Sequence, residues 1–85
     1  MADKYPGGAP TFAATDWEAV TPSNSTDFTY TPRAIYVGGT GNIAAVSADG
    51  SVEIFYNVAA GSILPIRPVR INSTNTTATT MLALY

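Results

Sequence analysis

The sequence predicts an all-β fold: a single small antiparallel β-sandwich or jelly-roll-like domain of about six to eight strands. Three features of the chain favour this class. Asp49-Gly50 separates two runs of strand-forming residues, 42–48 and 51–58, as the loop of a β-hairpin does. Residues 69–72 alternate between apolar and polar, and residues 80–85 form an apolar run at the end of the chain. Together these features indicate strands paired in antiparallel sheets.

The hairpin around Asp49-Gly50 defines the predicted register. A two-residue Asp-Gly loop suits a type I′ turn, because both central residues then need positive φ and this pair tolerates it. Such a loop would pair Val46 with Glu53 and Ile43 with Tyr56. The predicted core face consists of Ile43, Ala45, Ser47, Val52, Ile54 and Tyr56. The opposite face is too apolar to serve as a plain solvent face, and it consists of Ala44, Val46, Ala48, Ser51, Glu53 and Phe55.

The first twenty residues divide into an arm and a short ordered segment. We predict that residues 1–11 form an extended, flexible N-terminal arm and that residues 12–85 form one β-domain. Prolines and glycines at positions 6, 7, 8 and 10 exclude a helix or a central strand from the arm. The arm is either disordered or ordered on a neighbouring subunit, since Tyr5 and Phe12 are costly to leave exposed. Residues 12–20 favour a short extended segment, although Thr15 and Glu18 also match a helix start.

The remaining segments are predicted strands separated by turns. Residues 33–37 form a strand, and Gly38-Gly39-Thr40-Gly41 predicts a tight strand-to-strand turn into the hairpin. A phosphate-binding loop at these glycines would need a following helix and a nearby lysine, and the sequence offers neither. Residues 63–68 predict an edge strand or an extended crossing segment, because two prolines three residues apart cannot donate to a sheet. The polar turns and loops fall at residues 21–27, 59–62 and 73–79.

The composition excludes several classes of function. The 85 residues include no cysteine and no histidine, which excludes disulfides, thiolate metal sites and the usual general base. The six acidic residues match no paired motif, so we expect no catalytic residue, no cofactor, no metal and no enzyme activity. The net charge of −2 and the scattered arginines argue against nucleic acid. Without a long apolar span or a signal peptide, we expect no membrane contact and synthesis inside the cell.

The balance of apolar and charged residues predicts an oligomeric or partner-bound protein. Apolar residues make up 46% of the chain and charged residues only 12%, about half of the usual charged share. A small domain with so little charge keeps apolar surface for a partner. Trp17 is interpreted as a core or interface anchor rather than a ligand platform. Asp49 and Gly50 are assigned a structural turn only, and the candidate interface residues are Tyr5, Phe12, Trp17, Val46, Phe55, Leu84 and Tyr85.

Several segments match one known family in their order and spacing. They are residues 21–27 (TPSNSTD), 33–39 (RAIYVGG), 49–50 (DG), 55–61 (FYNVAAG), 64–67 (LPIR), 76–79 (TTAT) and 82–85 (LALY). In these segments the chain resembles the head spike base proteins of gene transfer agents and of related tailed bacteriophages. The resemblance covers nearly everything after Val20. Asn75 stands where the family loop is expected to carry glycine, and because asparagine also tolerates positive φ we expect the turn to persist.

The resemblance implies a virion structural protein that forms the oligomeric base of a head spike or fibre on the capsid surface. The protein would be made in the cytoplasm of a bacterial host. Its implied partners are copies of itself (a pentamer first, a trimer second), the major capsid protein and a spike or fibre protein. The family has no catalytic residues to transfer to this chain.

Two other functions remain open at the level of sequence. One is a capsid decoration protein that clamps neighbouring major capsid subunits, which would be trimeric. The other is a small carbohydrate-binding module that uses Trp17, Tyr30 or Tyr36 as a stacking platform. These aromatic residues would lie together on one exposed surface in a sugar-binding protein and between subunits in an assembly protein.

Overall fold

The computed structural model of the protein describes residues 16–85. The predictions for Tyr5, Phe12 and the 1–11 arm therefore lie outside the described residues. The described chain forms seven strands and no helix, and so no helix in this range could cross a membrane. The strands are β1 (Trp17–Ala19), β2 (Ala34–Gly39), β3 (Gly41–Val46), β4 (Val52–Val58), β5 (Ser62–Leu64), β6 (Arg70–Ile71) and β7 (Thr79–Leu84).

The strands form two antiparallel sheets, which confirms the predicted all-β sandwich-like class. One sheet has four strands in the order β1-β7-β2-β5, and the other has three in the order β4-β3-β6. Inward-facing side chains of both sheets build one core, as alternation along each strand requires. Its buried members are Ile35, Val37, Ile43, Ala45, Val58, Ile71, Ala78, Met81, Ala83 and Tyr85.

The closing strand lies in the interior of the four-stranded sheet. β7 pairs with β1 on one side and with β2 on the other, with Leu82 opposite both Ala19 and Tyr36. The apolar run at the chain end would be an aggregation-prone edge if left unpaired, and pairing on both sides removes that edge. The prediction that this segment enters a sheet is confirmed.

The hairpin register differs by one residue from the prediction. Val46 pairs with Val52 rather than Glu53, and Ile43 pairs with Phe55 rather than Tyr56. The connecting loop is longer than two residues: the Ser47 N–H donates to Ser51 O over 2.9 Å. The predicted type I′ turn at Asp49-Gly50 is therefore wrong.

The turn chemistry explains this shift. The Gly50 N–H donates to Ser47 O at 3.0 Å, which closes a four-residue turn. Among the residues of this loop only Gly50 has positive φ, at 90°. A type I turn followed by one left-handed glycine makes a three-residue loop, whereas a type I′ turn needs positive φ at Asp49 as well.

The one-residue shift moves the residues of β4 to the other side of the sheet. Directly opposed residues share a face, so Glu53 and Phe55 lie on the core side with Ala45 and Ile43. Val52 and Ile54 lie on the outer side instead. The predicted core face was correct for β3 and wrong for β4.

The glycines at positions 38–41 do not form a tight turn, which corrects a second prediction. Gly38 and Gly39 end β2, Gly41 begins β3, and the chain passes from one sheet to the other at Thr40. None of these glycines has positive φ. Because they lack a side chain, they instead let neighbouring backbone approach the strands closely. A Cβ on Gly41 would lie 2.6 Å from Ala78 Cα.

The remaining turns follow the sequence more closely. Ser62 N–H donates to Ala59 O at 3.2 Å and Gly61 has φ 85°, so the predicted turn at residues 59–62 is confirmed. The proline-bearing segment 63–68 starts in edge strand β5 (Ser62–Leu64), and its two prolines follow that strand in the extended connection to the other sheet. Asn75 has φ 68° and occupies the left-handed region that its loop was predicted to need.

Candidate interaction surfaces

The outer side of the four-stranded sheet carries an apolar surface, here called the Trp17 face. Register defines it, because opposed residues on neighbouring strands share a side. One row joins Trp17, Leu84 and Ala34 across β1, β7 and β2. The next row crosses all four strands through Ala19, Leu82, Tyr36 and Ile63.

The Trp17 face is only partly covered within the protein. Trp17 is 61% exposed and Ile63 is 58% exposed. The intervening residues Leu82, Leu84 and Tyr36 are half-buried. None of the seven residues of the face is charged, although an outer sheet face in water normally carries polar residues. An apolar patch that spans four strands is a candidate surface for contact with another protein.

The outer side of the three-stranded sheet carries a second apolar surface, the Val52 face. Register places Ala44, Val46, Val52 and Ile54 on this face together with Arg70 of β6, and alternation along β4 adds Tyr56. Val52 is 46% exposed and Tyr56 is 68% exposed, whereas Ala44 and Val46 are buried. The Val52 face lies on the opposite side of the sandwich from the Trp17 face, because each is the outer side of its own sheet.

Arg70 is the charged residue of the Val52 face, opposite Val46 on β6. Its guanidinium donates to Asp27 Oδ1 and to Asn72 Oδ1, both at 2.9 Å. The Asp27 carboxylate therefore balances this charge within the protein. A partner on the Val52 face would not have to neutralise it.

A shallow groove lies on the core side of the hairpin, near its tip. Its volume is about 230 Å³, and Ala45, Phe55 and Ile66 line its floor and walls together with Glu53 and Arg67. The groove lies on the side of β4 that carries Phe55, which faces the core. The groove holds no cluster of acidic residues, and within residues 16–85 no three His, Cys, Asp or Glu side chains converge as metal ligands would.

The predicted interface residues occupy different parts of the fold. Trp17 and Leu84 lie together on the Trp17 face, and Val46 lies on the Val52 face. Phe55 packs against the core and lines the groove. Tyr85 is 5% exposed and belongs to the core. The assignment of these residues to an interface stays a prediction, and sequence reasoning missed Ile63, Leu82 and Val52 because it lacked the register.

The predicted aromatic platform is only partly assembled. Trp17 and Tyr36 share the Trp17 face on strands that β7 separates, whereas Tyr30 lies in the loop before β2. Sugar sites combine stacking rings with several hydrogen-bonding side chains. The other members of this face are alanine, leucine and isoleucine, so its chemistry suits an apolar protein surface better than a sugar.

Asp49 organises the hairpin loop. Its carboxylate accepts hydrogen bonds from the Ser47 hydroxyl and from the Ser51 N–H, the latter at 2.9 Å. These bonds, chiefly the one from Ser47, lower the pKa of Asp49 from 3.8 to about 2. The arrangement stabilises the ionised form of Asp49 and holds the hairpin loop in place.

We expect the Asp49→Asn variant to fold normally and to lose part of the acid sensitivity of the wild type. A depressed pKa contributes stability above about pH 4, and that contribution is lost as the pH falls through about 2. The melting temperature should therefore fall less steeply between pH 5 and pH 2 for Asp49→Asn than for the wild type. Identical slopes for both proteins would show that this carboxylate does not contribute to the pH dependence.

One solved structure is closely similar to this chain. It is a chain from the capsid of a native GTA (gene transfer agent) particle computed with C5 symmetry. The two chains share 36% identical residues, and their structures superpose with a TM-score of 0.85. The match covers 94% of this chain and 93% of that chain. No family model matches the sequence, and neither does any curated protein. Identity at this level over nearly the full length of both chains shows common descent, and so the chain belongs to the family of virion structural proteins that includes this gene transfer agent capsid chain.

Proposed function

We propose that the chain is the base subunit of a head spike or fibre on the surface of a phage-like capsid. The observation that carries the proposal is the match to a GTA capsid chain, which covers 94% of this chain and 93% of that chain and supports a structural role in the virion. The two apolar outer faces support it, because a subunit that carried out its function alone would not need them.

The proposed partners are copies of this chain, the major capsid protein and a spike or fibre protein. A pentamer is favoured and a trimer is second, because a base at a five-fold capsid vertex takes the symmetry of that vertex. The related particle was computed with C5 symmetry, and a particle of that symmetry contains a five-fold axis on which a pentamer can lie. Two opposite faces allow a subunit to contact two neighbours at once.

The proposed role is structural rather than enzymatic. The sequence supplies neither histidine nor cysteine for proton transfer or nucleophilic attack. The second candidate is a decoration protein that clamps major capsid subunits across the whole head. The two roles differ in where the protein lies on the particle: at vertices for a spike base, and distributed over the capsid lattice for a decoration protein.

Deleting the gene in the producing bacterium should yield intact heads that lack vertex spikes. Electron cryomicroscopy of deleted and complemented particles would show the difference, since each subunit should contribute density of about 33 × 26 × 17 Å. Complementation with the wild-type gene should restore that density. Density lost evenly over the lattice would identify a decoration protein, and unchanged particles would contradict both roles.

A further inference from the structure

We propose that the segment Asp3-Lys4-Tyr5-Pro6 docks into the shallow groove near the hairpin tip of its own chain. In this arrangement the Tyr5 ring fills the groove and the Lys4 ammonium group pairs with the Glu53 carboxylate at the groove wall. The inference goes beyond the proposed function, because it concerns a contact inside one chain and does not depend on where that chain lies on a particle.

The groove has the size and the lining of a site for a single aromatic side chain. Its volume of about 230 Å³ lies below the roughly 300–1,000 Å³ of typical small-molecule sites. Phe55 and Ile66, both half-buried, line it together with Pro68. An aromatic side chain buries about 150–250 Å² and therefore gains most from an apolar lining of this kind. A tyrosine followed by a proline is large enough to cover it.

The segment before β1 leaves the domain at the end that carries the groove. Trp17 and Ala34, the first residues of β1 and β2, lie in one row across β7. β2 joins β3 through Thr40 at the far end, so the start of β2 and the tip of the hairpin lie at the same end. The groove-lining Arg67 confirms this, since its Nε donates to Pro32 O just before β2 at 3.4 Å.

The connection from Tyr5 to the domain is long enough for this contact. Asp16 follows Tyr5 by eleven positions, and a fully extended chain of that length spans at most roughly 36–40 Å. The longest dimension of the described domain is 33 Å. A segment tethered so close to the groove has a high effective concentration there. Its own groove is therefore favoured over the groove of another copy.

A docked segment would also cover the open edge of β4. Within residues 16–85, β4 is the longest of the four edge strands, with seven residues. The Ser47 N–H donates to Ser51 O, so the alternation of antiparallel pairs directs the N–H and C=O groups of Val52 and Ile54 away from β3. Covering such an edge with a loop is one way in which native proteins prevent unwanted strand pairing.

Charge complementarity selects the segment around Tyr5. Within the described residues the carboxylate of Glu53 has no hydrogen bond or ion pair. Lys4 is the only lysine of the chain and stands next to Tyr5, so a tyrosine in the groove brings the two opposite charges together. The other aromatic residue before Asp16 is Phe12, which has no basic neighbour and reaches at most about 14 Å from Asp16.

Carbodiimide cross-linking of the full chain tests the contact, because it joins an amine directly to a carboxylate beside it. We expect peptide mapping to find Lys4 linked to Glu53, in protein that runs at the monomer mass on a denaturing gel. Asp16 and Glu18 are nearer to Lys4 in sequence and would take the link if the segment were undocked. Glu53→Gln should abolish the link, whereas the matched variant Glu18→Gln should leave it unchanged.

Amide hydrogen exchange gives a second measurement. Tyr5→Ser should make the Val52 and Ile54 amides exchange several-fold faster than in the wild type, because the edge of β4 is then uncovered. Phe12→Ser is the matched control within the same part of the chain and should leave both rates unchanged. Equal rates in Tyr5→Ser and the wild type would overturn the proposed docking.

The cross-linking results separate the remaining alternatives. Linkage of Lys4 mainly to Asp16 or Glu18 would overturn the docking of this segment. A Lys4–Glu53 link found at twice the monomer mass would overturn the own chain as its source and assign the groove to a second copy. None of these results depends on the vertex density that tests the proposed function.

Discussion

Replacing Tyr85 by alanine is expected to destabilise the protein severely. The side chain is 5% exposed and packs in the core, and its N–H donates to Asp16 O at 2.7 Å. Truncating a buried aromatic residue costs about 3–5 kcal/mol. A small domain has roughly 5–15 kcal/mol of stability in total, so little of the folded state should remain at 37 °C.

Urea denaturation at one fixed protein concentration measures this effect, because oligomerisation makes stability depend on concentration. Tyr85→Phe keeps the buried ring and should retain most of the stability. Tyr30→Ala removes an exposed aromatic residue and should change the free energy of unfolding by about 0.5 kcal/mol or less. If Tyr85→Ala unfolds at the wild-type urea concentration, the chain end is not part of the core.

Replacing Gly41 by alanine is the second change with a large expected effect. The added Cβ would lie 2.6 Å from Ala78 Cα and from the Thr77 carbonyl carbon, which are backbone atoms that cannot rotate away. The same segment is held by hydrogen bonds from the Thr77 and Ala78 N–H groups to Asn42 O, at 2.9 and 3.1 Å. Relieving the overlap means separating β3 from this segment. Overpacking of this kind costs about 1–3 kcal/mol or more.

Gly50→Asn is the matched control for Gly41→Ala. Gly50 has φ 90° and open space around it, so glycine is favoured there by backbone conformation and not by close packing. Asparagine also tolerates positive φ, so Gly50→Asn should cause little strain. Thermal melts should show a clear loss for Gly41→Ala and a small one for Gly50→Asn. The reverse order would mean that backbone conformation, and not close approach, is what makes glycine necessary in this chain.

The sequence by itself determined the class of the fold and the positions of several turns. Turn residues such as Gly50, Gly61 and Asn75 act through their own backbone conformation, which depends on few neighbours. The apolar run at the chain end also predicted a paired strand, because an unpaired strand of that composition would aggregate. The small share of charged residues also predicted that the domain keeps an apolar surface for a partner. It did not show which residues form that surface.

Tertiary structure alone decided which residues form that surface. The register of β4 depended on whether Asp49 takes positive φ, and a shift of one residue exchanged Phe55 with Ile54 between core and exterior. The role of Gly41 depended on Ala78, which is 37 positions away and approaches it only after both sheets have formed. The Trp17 face joins residues from four strands that are distant in sequence, so no local pattern contains it. Local chemistry determines backbone conformation, and the sum of distant contacts determines which side of each strand faces the core.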